Sequence, residues 1–164
     1  MLRYKLPIFL LLLIVSGCGL VDSNSKLKMN NPSFTITDTT GHSKTTFSPD
    51  EHFDLSFAYI NTTPFTLTYT RGSSAPPVIF EILKDGSVIA SSVDGYSFAQ
   101  VVLGGHLTPK DTLKGQWQAP NTLYQNPKAI LTPGLYQARV LFPSFGQTTA
   151  SSHLDIAFSI IQKE

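Results

Sequence analysis

The sequence predicts an all-β fold, an immunoglobulin-like antiparallel β-sandwich of about eight strands, and three observations carry that expectation. From Ser33 onward, apolar and polar residues alternate with a period of two in short runs, which puts the apolar set on one face of a sheet. Turn-forming residues separate the runs, as in Lys84-Asp85-Gly86-Ser87, where Asp-Gly supplies the positive φ that a tight hairpin requires. Eleven prolines and eleven glycines leave little room for a long helix, and helical periodicity is absent beyond the N-terminal segment. Eight short strands in one domain are satisfied by two sheets packed face to face. A small closed barrel or jelly roll fits the same pattern and is the alternative.

The N-terminal segment is expected to be a leader. Arg3 and Lys5 form a positive n-region, Leu6 to Val15 an apolar h-region, and Ser16-Gly17 a pair of small residues of the kind accepted before a signal-peptidase cut. The apolar run falls short of the roughly 20 residues needed to cross a bilayer. Cys18, the single cysteine of the chain, follows the small pair directly. Val15-Ser16-Gly17-Cys18 resembles a bacterial lipobox, which implies cleavage between Gly17 and Cys18 and a lipid on Cys18. A thiol consumed by diacylglycerol leaves none for a disulfide or a metal, and several acyl chains anchor far more firmly than one. Residues 1–17 are thus expected to be a signal peptide, 18–31 a polar tether and 32–164 the sandwich domain. Gly19 stands where an aspartate would resemble an inner-membrane retention signal. The expected location is the cell envelope: the outer membrane of a two-membrane bacterium, or otherwise the outer face of the cell membrane.

The strands follow in order. Phe34 and Ile36 alternate with Ser33, Thr35 and Thr37; Phe53, Leu55, Phe57 and Tyr59 alternate with His52, Asp54, Ser56 and Ala58; Phe65, Leu67 and Tyr69 alternate with threonines. Further runs span Val78 to Lys84, Ser87 to Ser92, Thr112 to Gln118, Leu135 to Phe142 and His153 to Ile161. In the last two, Tyr136, Ala138, Val140, Leu154, Ile156, Phe158 and Ile160 are expected to face inward. Asn61-Thr62-Thr63-Pro64 and Thr132-Pro133-Gly134 read as turns of other kinds. The glycosylation-type triplet Asn61-Thr62-Thr63 is read as turn chemistry.

Charge and motif content exclude several classes. Twelve basic side chains face eleven acidic ones, and two of the basic ones, Arg3 and Lys5, lie in the leader. A nearly neutral domain without a basic block argues against nucleic acid as a partner. His42, His52, His106 and His153 are scattered, without a ligand-type spacing, so neither a metal nor another cofactor is expected. Asp50, Glu51 and Asp54 lack the alternating spacing and glycine of a calcium loop and read as a solvated turn and strand edge. Gly95-Tyr96-Ser97-Phe98-Ala99 approaches a nucleophile elbow, but Ala99 replaces the final glycine and no helical segment follows. The chain is therefore read as a non-enzyme.

Phe53 to Tyr59, Asn61-Thr62-Thr63-Pro64 and Phe65 to Tyr69 resemble the strand, Asn-x-x-Pro turn and strand that open the BsuPI family of intracellular proteinase inhibitors. The resemblance continues through Phe80-Glu81-Ile82 with Asp85-Gly86, Tyr96 to Gln100, Leu107-Thr108-Pro109 with Trp117, and Leu131 to Tyr136. It covers roughly Phe47 to Leu141. Departures are Val88 to Ser92, where the family tends to carry a tryptophan; Pro109-Lys110-Asp111, in place of Pro-Gly-Glu; and an insertion-like segment from Asn121 to Leu131. The resemblance implies a binding module with a protein partner, a peptidase among the candidates, and supplies no reactive-site residue. The alternative is a structural or assembly-helper lipoprotein docking on an envelope complex.

Two segments break the alternation, Arg71 to Pro77 and Asn121 to Leu131, and loops are the usual seat of recognition. The candidate binding surface is Arg71, Ser73, Tyr96, Tyr124 and Phe145, the last from the aromatic turn Phe142-Pro143-Ser144-Phe145-Gly146. Trp117 and Phe98 are assigned to the core.

Overall fold

The computed structural model of the protein describes residues 32–120, 130–146 and 151–162. The expected leader, the Gly17–Cys18 cut, the tether and Tyr124 lie outside the described residues. Within them there is no helix, and ten strands form the fold: β1 (Ser33–Asp38), β2 (Thr46–Phe47), β3 (Phe53–Ile60), β4 (Leu67–Arg71), β5 (Ile79–Lys84), β6 (Ser87–Ser91), β7 (Leu103–Leu107), β8 (Thr112–Ala119), β9 (Gly134–Pro143) and β10 (Ser151–Ile160).

The strands make a sandwich. One sheet has the order β1-β3-β8, the facing sheet β2-β10-β9-β5-β6, and β4 pairs with β7 in a separate ribbon. The period-two pattern sets which faces meet. Phe53, Leu55, Phe57 and Tyr59 of β3 are all buried, while the residues between them are half-buried. Across the interface Phe57 stacks on Phe142 with ring centroids 4.8 Å apart, Phe53 meets Phe158 at 5.1 Å and Phe34 meets Phe80 at 6.2 Å. Burying each such side chain contributes about 1.5–3 kcal/mol, and this seam holds the two sheets together. Trp117 is buried in the same cluster, as assigned, whereas Phe98, assigned with it, is half-buried outside the core and stacks on Tyr96 instead.

Turn chemistry closes the sheets. Asp85 and Gly86 both take positive φ, 51° and 79°, the pairing a two-residue hairpin needs between β5 and β6. β9 and β10 pair antiparallel over ten residues, from Gly134↔Ile160 to Pro143↔Ser151. Tyr136, Ala138, Val140, Phe158 and Ile160 are buried as expected, and Leu154 and Ile156 pack partly buried against the core.

All eight expected strands are present, and the structure adds two. β2 runs parallel to β10 through Thr46↔Ser159 and Phe47↔Ile160, the one parallel pair among the described strands. β7, with Gly104 and Gly105, has no apolar alternation to read. Its glycine is a packing requirement: the ring of Tyr69, opposite in β4, occupies the space a Cβ at position 105 would take. The strand expected from Phe65 starts two residues later. The Phe65 carbonyl accepts hydrogen bonds from Asn61 Nδ2 (2.8 Å) and Thr63 Oγ1 (3.0 Å), so this residue belongs to the turn, and its ring is 71% exposed rather than inward.

Candidate functional site

The loops around the candidate surface are positioned by one buried amide. Asn61 ends up fully buried just past β3, and its side chain uses all four of its hydrogen-bonding positions: Nδ2 donates to the carbonyls of Phe65 and Leu107, and Oδ1 accepts from the Thr63 N–H (3.0 Å) and Thr63 Oγ1 (2.7 Å). Its backbone N–H donates to the Asp111 carbonyl (2.9 Å), and its own carbonyl accepts from the Lys110 N–H (2.8 Å). Asn61 thereby clamps the end of β3, the entry to β4 and the turn between β7 and β8. A glycan cannot be attached to an amide so enclosed, in keeping with its reading as turn chemistry.

From that clamp β4 runs to Arg71, which lies opposite Leu103 of β7. The chain then loops through Gly72 to Val78 and returns to the large sheet as β5. Between this loop and the end of β9 lies a cleft of about 130 Å³. Arg71, Ser73, Pro76 and Pro77 line one side, with Leu141 and Pro143 on the other. Among the described residues, Arg71 is the only charged one in the lining. Its Nη1 donates to the Ala75 carbonyl, while Nε is shielded from solvent and has no acceptor among the described residues. A shielded donor without a partner costs about 1–3 kcal/mol. Ser73 Oγ accepts from the Ala75 N–H at 3.3 Å, which shapes the loop from within.

The structure thus brings Arg71 and Ser73 together and treats the other candidates differently. Tyr96 does not line the cleft. It sits in the segment between β6 and β7, stacked on Phe98 with centroids 6.0 Å apart. That segment is tied to the loop by Ser74 N–H to the Ala99 carbonyl and Ala99 N–H to Ser74 Oγ, both 2.9 Å. Phe145 is not a free contact residue: its ring stacks on Tyr59 at 4.3 Å and meets Tyr69 edge-on at 5.8 Å. It fills the join between the β4–β7 ribbon and the core, because Gly146 N–H donates to the Thr68 carbonyl (2.8 Å) and draws the turn inward. Leu141, Pro143 and Ser151 line the cleft without having been singled out as cleft residues. They come from β9 and β10, and only the aromatic turn around Pro143 hinted at that end of the fold.

The remaining polar groups are engaged locally. Glu51 takes Lys44 and the Ser48 N–H, so the acidic group at Asp50, Glu51 and Asp54 does not converge on one point. Asp38 accepts from the Thr40 hydroxyl and from the Thr40 and His42 N–H groups, which hold its carboxyl down at about 2. Asp111 is likewise lowered by the hydroxyl and N–H of Thr108. On the outer face of the large sheet Glu81, Arg139 and Asp155 stand in one row across β5, β9 and β10. Arg139 Nε donates to Asp155 at 2.9 Å. Burial pushes the Glu81 carboxyl upward, against the pull of Arg139. His42, His106 and His153 are exposed and His52 is half-buried. Among the described residues no three histidine or carboxylate side chains are grouped to hold a metal ion. Ser97 lies in an irregular stretch with no helix after it, unlike a nucleophile elbow.

No model of a known protein family matches the chain, and a search of curated proteins returns no match.

Proposed function

We propose that this protein is a lipid-anchored, non-catalytic binding module of the cell envelope, and that it grips another protein at the cleft between the Arg71–Pro77 loop and the end of β9. The observation that carries this reading is the guanidinium of Arg71, the sole charge among the described residues of an apolar and hydroxyl-bearing cleft, with no acceptor for Nε among those residues. Concave surfaces with apolar walls and one or two placed polar groups are where ligands are held. The lipobox-like Val15-Ser16-Gly17-Cys18 supports the anchor, and the resemblance to the BsuPI family supports proteinase inhibition on an immunoglobulin-like sandwich as the specific form of binding.

A panel of serine peptidases, assayed with micromolar full-length protein in detergent, tests the inhibitory form. Saturable slowing of one peptidase, relieved in Arg71→Met, is the expected result; unchanged rates across the panel reject inhibition. Capture of a defined envelope complex without any inhibition assigns the assembly-helper role instead. Palmitate-analogue labelling of cells is expected to mark the wild type and to be lost in Cys18→Ala; equal labelling of both overturns the anchor.

A further inference from the structure

The sheet edges among the described residues are not equally closed. Beyond β1, the Lys44 N–H donates to the Ile36 carbonyl (3.4 Å) and Ser43 bridges to Thr37, so that edge is partly covered. β2 is two residues long. β6 is five residues long, and the β5–β6 ladder shifts register between Ile82 and Leu83, a bulge of the kind that twists an edge away. β8 has none of these protections. All eight of its residues pair with β3 on one side, and among the described residues no strand pairs with it on the other. Within β8 there is no proline, no bulge and a single charge, Lys114. Natural proteins use such devices to block edge pairing, and a long edge that lacks them is open to another strand.

The surface beside that edge is shaped. A groove of about 250 Å³ lies between Lys114–Gln116 of β8 and the segment Pro76–Val78, with Phe80 and Val93 adding apolar wall. The two elements approach closely: Val78 Cγ1 stands 2.7 Å from where a Cβ on Gly115 would lie, so only glycine lets β8 run this near. Leu113, Trp117 and Ala119 of β8 are buried, and Thr112, Lys114, Gln116 and Gln118 are exposed.

We propose that β8 is a strand-addition site, in which an extended segment of a partner protein pairs along Thr112–Ala119. The occupant follows from the edge. A strand edge with no strand partner among the described residues calls for a strand, since main-chain hydrogen bonds supply affinity in this mode and alternate side chains supply specificity. The groove lies on one side only, so every second side chain of the segment is apolar and rests over Val78 and Val93. Lys114 is the one charge in the groove lining and has no ion pair among the described residues, so the segment carries a carboxylate beside it on the solvent face. Eight paired residues correspond to about 26 Å of extended chain. The inference rests on the binding-module reading above and names how the partner is held; it does not use Arg71.

The test is hydrogen exchange of the full-length protein in detergent with a blocked eight-residue probe peptide that alternates valine with threonine and carries one glutamate. At saturating probe, the β8 amides not bonded to β3 should slow at least ten-fold, with β1 and β6 unchanged. Lys114→Glu should weaken this probe several-fold and strengthen a lysine-for-glutamate probe by a similar factor. Unchanged exchange in β8, protection of another edge, or loss of the charge swap overturns the proposal. Slow β8 exchange in the free protein also overturns it, by showing the edge already covered by a second copy or by the chain itself. If a captured envelope partner survives Lys114→Glu and β8 stays unprotected, strand addition alone fails; if no partner is captured at all, the binding-module reading fails.

Discussion

Asn61 Nδ2 donates to the carbonyl of Leu107 at 2.9 Å, joining the end of β3 to the end of β7 across forty-six residues of sequence. The same amide nitrogen serves Phe65, and no solvent reaches the side chain. Asn61→Asp replaces this donor with an oxygen facing two carbonyls, and Asn61→Ala takes the donor from the buried contact with the Leu107 carbonyl and the acceptor from the Thr63 N–H. Each is expected to cost roughly 2–4 kcal/mol at neutral pH, read from urea denaturation. The aspartate variant should recover part of its loss as acid protonates the carboxyl; a flat loss with pH would contradict this account.

Gly105 and Tyr69 form a second dependence. The Tyr69 ring fills the volume of the missing Cβ, so Gly105→Ala forces the ring aside and should destabilise by about 1–3 kcal/mol. In the Tyr69→Ala background the same substitution should be nearly neutral. A double-mutant cycle in thermal or chemical denaturation measures the coupling, and strictly additive effects would count against the contact.

Asp38 makes a pH-dependent contribution whose sign is set by its hydrogen bonds. Its folded pKa of about 2 lies below the unfolded 3.8. The contribution is therefore fully present above the unfolded value and is lost as pH falls from about 4 towards 2. The stability difference between wild type and Asp38→Asn should stay constant above about pH 5 and shrink through that window. Titration of the Asp38 carboxyl carbon by NMR checks the pKa directly.

Glu81 has the opposite sign. Burial raises its folded pKa, so the ionised form costs stability above the unfolded carboxylate range, and the cost fades as pH falls through the folded value. Glu81→Gln should raise the melting temperature at pH 7, with the gain disappearing by about pH 4. Arg139 keeps Asp155 as a partner in this variant, which limits the loss of charge pairing. A lower melting temperature at pH 7 would mean that the attraction of Arg139 outweighs desolvation.

Local chemistry was legible wherever a residue's role depends on its neighbours in sequence. Alternation in β3 marked Phe53, Leu55, Phe57 and Tyr59 as inward because successive strand side chains point to opposite faces. Asp85-Gly86 marked a hairpin because few residues accept positive φ at both positions. The candidate site was legible in half: Arg71 and Ser73 do share a cleft, whereas Phe145, which looks like an exposed turn aromatic, is packed between Tyr59 and Tyr69.

By itself, the sequence determined the all-β class, eight of the strands, the hairpin at Asp85-Gly86 and the inward set of the long strands, since each follows from φ/ψ preference and a period of two. Only the tertiary structure decided that β7 exists, that β2 lies parallel to β10, that the Arg71 loop closes against Leu141 and Pro143, and that β8 pairs with β3 alone among the described strands. Those outcomes depend on which strands become neighbours across tens of residues. Pairing of that kind is selected by the fit of distant side chains, such as the Tyr69 ring over Gly105, and by the burial that fit achieves.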